Sequence, residues 1–221
     1  MSTYPGADDS KGQLIYRGAE ADLVLGRWQG LEAVLKVRKP LAYRLPVLDD
    51  AIRRQRTLRE AEMMHQAKKA GVATPFLYNV DVPSATLTME YVRGDRLRDV
   101  VGSMTAKETE GAFFQFGRDA ASLHSAGIMH GDLTTANVLR RDGSLVFLDF
   151  GLSYRTPRLE DHAVDIRLIK ETLIGAHHRE ARSALEAFYR GYSEGVGPAR
   201  HKAVLRQLRG IERRGRYARV E

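Results

Sequence analysis

Three polar residues at fixed separations carry the strongest chemical signal in this sequence. Asp132 lies within the segment 130–137, Asn137 ends that segment, and Asp149 opens an Asp-Phe-Gly tripeptide. An aspartate beside an attacking hydroxyl can orient it, and an asparagine and a second aspartate can hold Mg²⁺ against nucleotide phosphates. Because Mg²⁺ favours oxygen ligands and keeps several waters, two protein ligands suit it. A lone Asp-Phe-Gly would be a weak signal, but the combination predicts a phosphoryl-transfer centre.

The neighbours of this centre have supporting roles. We expect His130 to support the loop by packing and hydrogen bonding rather than to take part in the chemistry. Two interpretations of Asp165 stay open: it bonds the amides near His130 from a buried helix, or it is an ordinary aspartate on a helix surface. Gly131 replaces the arginine of the His-Arg-Asp motif of protein kinases, so we expect no switch that depends on a phosphorylated activation loop.

Lys36 is the candidate phosphate-binding cation. It ends the apolar run Val34-Leu35-Lys36, which predicts a strand. In protein kinases a lysine at this place reaches the α- and β-phosphates and pairs with a glutamate on the next helix. Glu60 is the best partner and Glu62 is the alternative. An error of one or two residues in the helix position would rotate a glutamate off the helix face that meets the lysine.

A short loop precedes the second predicted strand and lies where a phosphate-covering loop is expected. Its residues are Gly18, Ala19, Glu20 and Ala21. The loop does not match G-x-G-x-x-G, the pattern of protein kinases. We therefore expect its backbone amides to cover the phosphates less closely.

The end of the fifth predicted strand is the candidate adenine site. The backbone groups of Glu90 and Val92 could bond the adenine edge, and Met89 would line the back of the pocket, just before Gly94. A simple strand end is the alternative interpretation.

The pattern of apolar residues predicts an α+β, two-lobed, protein-kinase-like fold. A five-stranded antiparallel lobe with one helix, 49–70, would precede a trimmed, mostly helical lobe. Thr105 and Glu108 form a capping box at a helix start, and Asp142-Gly143 predicts a hairpin turn. The expected divisions and later helices are a mobile N-terminus 1–12, lobes 13–92 and 93–213, a basic tail 214–221, and helices 160–174, 180–194 and 199–213.

The amino-acid composition bears on the expected location of the protein and on the kind of partner it binds. The 221-residue chain has a net charge of +7, no cysteine, no apolar run long enough to span a bilayer and no secretory signal, so we expect a cytoplasmic protein without disulfides or thiolate metal sites. Residues 201–221 contain seven basic residues against two acidic ones. This basic end predicts a polyanionic partner such as RNA, or an acidic protein surface. A solvated helix that only aids solubility is the alternative.

Five segments together resemble the small atypical kinases of the KEOPS (EKC) complex, which are related to the Rio kinases. The segments are 18–21, 56–61, 130–137, 149–152 and the arginine-rich end, and the resemblance spans about residues 13–219. It implies a magnesium-dependent ATPase or serine/threonine kinase that acts in the complex making threonylcarbamoyladenosine in tRNA. Its implied site residues are Lys36, Glu60, Asp132, Asn137 and Asp149. Its implied ligands and partners are ATP, Mg²⁺, a tRNA-modifying subunit of the ATPase fold, a small accessory subunit and tRNA, the last through the basic tail.

Two other functions compete with this one. Small-molecule phosphotransferases of the aminoglycoside type also carry His-Gly-Asp with a following asparagine, but they need a large helical substrate domain, and only 70 residues follow Gly151 here. A nucleotide-binding scaffold with little turnover is the other. The weak glycine loop favours it, and the intact set of Lys36, Asp132, Asn137 and Asp149 argues against it.

Overall fold

The computed structural model describes residues 12–217, which form two compact units. One unit contains residues 12–65 and 75–93, and the other contains residues 66–74 and 94–217. The segment 1–11, which is most of the expected mobile N-terminus, and the last residues of the expected tail, 218–221, lie outside the described residues. No helix in the described part of the chain is long and apolar enough to cross a membrane.

The first unit is a five-stranded antiparallel sheet with one helix, as predicted. The sheet order is β1-β2-β3-β5-β4, and every neighbouring pair is antiparallel. The elements are β1 (Gln13–Arg17), β2 (Ala21–Trp28), β3 (Leu31–Arg38), α1 (Pro46–Lys69), β4 (Leu77–Asp81) and β5 (Thr86–Glu90).

The central strand β3 positions the candidate cation. Its residue Lys36 is paired with Leu23 of β2 on one side and Leu87 of β5 on the other. Side chains alternate between the faces of a strand, so Leu35 enters the buried apolar cluster of the sheet while Lys36 faces the opposite side. Hydrogen bonding on both edges therefore fixes the backbone that carries this lysine.

The second unit is mostly helical, also as predicted. The three predicted late helices are present, and the last one continues to Tyr217, so residues 214–217 are helical rather than part of a trailing end. The elements are β6 (Asp95–Arg96), α2 (Leu97–Val100), α3 (Ala106–Ser125), β7 (Ile128–Met129), β8 (Val138–Arg141), β9 (Ser144–Phe147), β10 (Tyr154–Arg155), α4 (Leu159–Ala176), α5 (Ala181–Val196) and α6 (Pro198–Tyr217).

Two local sequence signals shape this unit. The Thr105 hydroxyl accepts the backbone N–H of Glu108, whose carboxylate accepts the N–H of Thr105, so the predicted capping box starts α3. Asp142 and Gly143 have φ values of 50° and 82°, as the predicted tight turn between β8 and β9 requires. This hairpin brings the two ends of its strands, next to Asn137 and Asp149, to the same place.

Helices α3 and α5 pack with their backbones in contact. A Cβ atom at Gly191 would lie 2.0 Å from the carbonyl oxygen of Phe114, and one at Gly117 would lie 2.1 Å from that of Phe188. Both distances are far below any real carbon contact, so glycine at each position permits the approach. The two helices are therefore closely packed along this contact.

We predict that Gly191→Ala lowers the free energy of unfolding by about 1–3 kcal/mol, because the added methyl overpacks this contact. The clash outweighs the gain of about 1 kcal/mol that alanine normally brings to a helix interior. Gly111→Ala in α3 is the matched control, because its Cβ would meet nothing within 4 Å. Urea unfolding of both variants makes the measurement, and equal stabilisation of the two would contradict the close packing.

Candidate active site

The predicted site residues divide between the two units. Lys36, Glu60, the loop 18–21 and the end of β5 belong to the first unit, and the aspartates and asparagine of the segment 130–149 belong to the second. Within each unit, hydrogen bonds hold the predicted residues together.

A buried carboxylate on α1 holds two cations of β3. Lys36 Nζ donates to Glu60 Oε1 over 2.7 Å, and Arg38 Nη2 donates to Glu60 Oε2 over 2.5 Å. All three residues are buried, whereas Glu62 is exposed. Of the two glutamates weighed from the sequence, Glu60 is therefore the one that pairs with the lysine.

Sequence reasoning missed Arg38. The alternation of side chains along a strand could have indicated it, because residues 36 and 38 lie on the same face of β3. One glutamate on the neighbouring helix can therefore reach both side chains. The Glu60 carboxylate uses a separate oxygen for each cation. Charge-assisted hydrogen bonds at both oxygens fix its orientation and that of the Lys36 ammonium.

The loop 18–21 is a closed turn fastened to α1. The N–H of Gly18 donates to the carbonyl of Ala21 over 3.0 Å, and Ala19 is exposed at the tip. The Glu20 carboxylate accepts a hydrogen bond from Arg56 of α1, and this bond lowers the pKa of Glu20 below its ordinary value. The Glu20 side chain thus anchors the loop.

The end of β5 is held by its neighbour strands. Met89 is paired with Val34 of β3, and the N–H of Glu90 donates to the carbonyl of Phe76 over 2.8 Å. The Glu90 carboxylate accepts the N–H of Phe76 in return over 3.1 Å. Val92 follows and is buried. The side chain of Glu90 and its backbone N–H are therefore both engaged with Phe76.

In the second unit, Asp132 and Asn137 are clamped together. Asn137 Nδ2 donates to the backbone carbonyl of Asp132 over 3.0 Å and to Asp132 Oδ2 over 2.7 Å. The N–H of Leu148 donates to the carbonyl of Asn137 over 2.8 Å. Asp149 follows Leu148 directly, so this backbone hydrogen bond holds Asp149 near Asn137, the other predicted metal ligand.

Asp149 has an unusual backbone. Its φ of 55° lies in the left-handed region, which costs a non-glycine residue of order 1–3 kcal/mol. The N–H of Gly151 donates to Asp149 Oδ1 over 3.2 Å. Aspartate tolerates this region better than most residues. Backbone strain of this kind concentrates at functional sites, which agrees with the role predicted for Asp149.

His130 supports the loop, as expected. Its Nε2 lies 3.1 Å from the carbonyl of Leu148, and its Nδ1 lies 3.3 Å from the N–H of Asp132. A carbonyl only accepts, so Nε2 carries the hydrogen and Nδ1 accepts. Complete burial lowers the pKa of His130 below its ordinary value, so the ring is neutral at physiological pH. The neutral ring joins the loop of Asp132 to the strand end before Asp149.

Asp165 bonds the loop backbone, which decides between its two interpretations. Its Oδ2 accepts the N–H of His130 over 2.7 Å, and its Oδ1 accepts the N–H of Gly131 over 2.8 Å. Asp165 is fully buried. His124 Nε2 lies 3.2 Å from the same Oδ2, and Tyr192 Oη lies 2.8 Å from His124 Nδ1. A buried chain of polar groups therefore runs from α5 through Asp165 to the loop, and the sequence did not reveal its distant members.

Two further features fix this loop. Gly131 has a φ of 83°, and a Cβ there would lie 2.6 Å from the carbonyl oxygen of Leu152. No arginine fits at this position, which explains the departure from His-Arg-Asp. Ser153 Oγ donates to the carbonyl of His130 over 2.7 Å, a contact that had no signal in the sequence.

The chemistry of the donor set fits Mg²⁺. In the described part of the chain, no group of three or more His, Cys, Asp or Glu side chains forms a closed metal site. Magnesium rarely needs one, because it retains waters and uses one or two protein oxygens beside phosphate oxygens. The side-chain amide nitrogen of Asn137 donates to Asp132, so the amide oxygen is the atom that could bind a metal ion. Asp149 would supply the second.

Comparisons with known proteins agree with this architecture. Residues 42–173 match the family model described as the protein kinase domain. The Rio2 kinase of Chaetomium thermophilum, solved with ADP, Mg²⁺ and phosphoaspartate, shares the fold with a TM-score of 0.64 at 15% identity, over 96% of this chain and 72% of that one. The fold and the match define a protein of the protein-kinase class.

Relatives with higher sequence identity define the family of this chain within that class. The KEOPS complex subunit Bud32 of Pyrococcus abyssi is 35% identical over 93% of this chain and 96% of that protein. A probable bifunctional tRNA threonylcarbamoyladenosine biosynthesis protein of Methanobrevibacter smithii is 39% identical over 92% of this chain, which spans only 36% of that protein's length. The chain belongs to the Bud32 family of protein-kinase-like proteins.

We predict that Glu60→Gln lowers the free energy of unfolding by about 3 kcal/mol, because it removes the charge that compensates buried cations. Glu62→Gln is the matched control, since Glu62 is exposed on the same helix. Urea unfolding of the two variants measures the difference. An equal, small effect of both substitutions would show that the buried ion cluster does not stabilise this unit.

Proposed function

We propose that the chain is a magnesium-dependent ATPase and atypical serine/threonine kinase that acts as a KEOPS subunit in the threonylcarbamoyladenosine modification of tRNA. The observation that carries the proposal is the clamp of Asn137 on Asp132, together with the backbone bond that ties Asp149 to Asn137. This is the set of groups that in-line transfer of a γ-phosphoryl group requires. The names of the Bud32 relatives support the assignment to the complex.

Each predicted residue has a role in this proposal. Asp132 orients the attacking water or hydroxyl and can accept its proton, and the amide of Asn137 keeps its carboxylate in place. Asn137 and Asp149 hold Mg²⁺, which when bound neutralises charge on the phosphates. Lys36, oriented by Glu60, is the proposed cation for nucleotide α- and β-phosphates.

The remaining candidates complete the nucleotide site. Backbone amides of Gly18, Ala19, Glu20 and Ala21 cover the phosphates, while the Glu20 side chain stays on Arg56. Backbone groups of Glu90 and Val92 bond the adenine edge, beside Met89. The N–H of Gly18 already donates to the carbonyl of Ala21, which supports looser cover of the phosphates at this position.

The names of two relatives support partners for this chain. Both are called KEOPS complex subunits, which supports assembly with other subunits of that complex. We propose that these are a tRNA-modifying subunit of the ATPase fold and a small accessory subunit. The bifunctional relatives, of which this chain spans about a third, support coupling to a second activity in tRNA modification. We propose that tRNA binds at the basic C-terminal tail, 214–221, and that the protein is cytoplasmic.

We predict that Asp149→Ala abolishes ATP turnover by removing a metal ligand. Asp132→Ala should lower turnover by roughly two to four orders of magnitude, the usual contribution of a general base. Asp99→Ala is the control, because Asp99 is exposed and, among the residues that the structure describes, forms an ion pair only with Arg98. The measurement is release of labelled phosphate, with and without tRNA and partner subunits, together with labelling of the chain itself.

The outcomes separate the competing functions. Free phosphate indicates hydrolysis, and label on the chain indicates autophosphorylation. Tight ATP binding without turnover under every condition would make the chain a nucleotide-binding scaffold. ADP release stimulated by aminoglycosides or sugars would make it a small-molecule phosphotransferase. Unchanged turnover in both aspartate variants would refute the catalytic roles.

A further inference from the structure

Four cations form a line along α6. Lys202, Arg206, Arg209 and Arg213, the α6 stripe, are all exposed. Within the described residues, none of the four takes part in an ion pair or a side-chain hydrogen bond. Exposed arginines on other helices of this unit behave differently, because Arg118, Arg182 and Arg190 each pair with a glutamate.

The geometry of the helix makes the stripe straight. Separations of four, three and four residues place side chains on one face, and eleven residues at 1.5 Å each give a length of about 16 Å. The other face of α6 packs into the unit, where Val204 and Leu208 are buried. The stripe is therefore fixed on a helix that the core holds in place.

The acidic groups nearby are already engaged. Glu212 Oε1 accepts from Lys170 of α4 over 2.6 Å, and Glu160 Oε1 accepts from Arg214 over 2.5 Å. Neither pairing involves a member of the stripe. Arg214, the first residue of the expected tail, thus already has a partner within the unit.

A pocket on the stripe suits a phosphate group. It has a volume of about 230 Å³ and is lined by Arg206, Arg209, Arg213 and Glu212. Guanidinium groups bind phosphate oxygens through paired N–H donors, and three arginines line this pocket. The one acidic residue of the lining is the glutamate that Lys170 holds.

Surface composition favours nucleic acid over protein. Protein interfaces have an apolar and aromatic centre, yet no large hydrophobic side chain described on α6 is exposed. A row of arginine and lysine on a helix face with no fully exposed apolar side chain described matches a regularly charged phosphate backbone instead.

We propose that the α6 stripe binds the phosphate backbone of RNA. This rests on the proposed role beside tRNA and moves the contact from the tail 214–221 to a helix that the core fixes. Because the contacts are to phosphates, they position the RNA without reading its bases.

The test is the salt dependence of binding to an unmodified tRNA transcript, measured on the full chain by fluorescence anisotropy without nucleotide. The stripe variant is Arg206→Gln with Arg209→Gln, and the control is Arg179→Gln with Arg182→Gln, which removes two other exposed arginines. We expect the stripe variant to bind on the order of tenfold more weakly and its log–log salt slope to lose about 1.8, or about 0.9 for each lost phosphate contact. The control should stay within twofold of the parent, and both variants should melt with the parent.

Three results would overturn the proposal. The first is that the stripe variant binds tRNA as tightly as the parent. The second is that both variants bind equally more weakly, which would indicate an effect of net charge alone. The third is that polyglutamate competes as well as RNA at equal charge, which would indicate an acidic protein partner. The nucleotide-free design separates this proposal from the enzymatic one. If the chain binds RNA through the α6 stripe but does not turn over ATP, only the proposed enzymatic activity is refuted. If it turns over ATP but the stripe variant binds RNA like the parent, only the proposed RNA contact is refuted.

Discussion

One buried carboxylate holds the backbone on which the second unit builds its candidate chemistry. Asp165 accepts the amides of His130 and Gly131, one on each oxygen, and is itself fully buried. Buried charges persist only where hydrogen bonds satisfy them, so this group fixes the start of the loop. From there the neutral ring of His130 reaches the N–H of Asp132 and the carbonyl of Leu148, and Asn137 closes the loop onto Asp132.

The same principle orders the first unit around Glu60. A carboxylate on α1 orients Lys36 and Arg38, and Arg56 of the same helix holds Glu20 in the loop before β2. In both units a carboxylate or cation from a helix fixes groups on a strand or loop. Rigid elements supply the positions, and short loops supply the groups that would meet a nucleotide.

Local signals in the sequence predicted most of the fold, and they also marked the residues of the candidate site. The capping box at Thr105 and the Asp142-Gly143 turn depend on neighbouring residues, so the sequence contains them whole. The link from Tyr192 through His124 to Asp165 joins residues far apart in the chain, and only tertiary packing brings them together. The close approach at Gly191 is likewise a property of two helices rather than of one segment. The extra length of α6 escaped prediction because its basic end has little apolar periodicity.

The most direct measurement compares steady-state ATP hydrolysis by Asp165→Asn with that of the control Asp99→Asn, at a temperature where both are folded. Asparagine places an NH₂ group against one of the two loop amides, so the loop should shift while every group that meets ATP remains. We predict that kcat falls on the order of a hundredfold, as displaced catalytic groups cause, with little change in KM for ATP. A kcat equal to that of the Asp99 control would contradict the claim that the buried carboxylate of Asp165 organises the site.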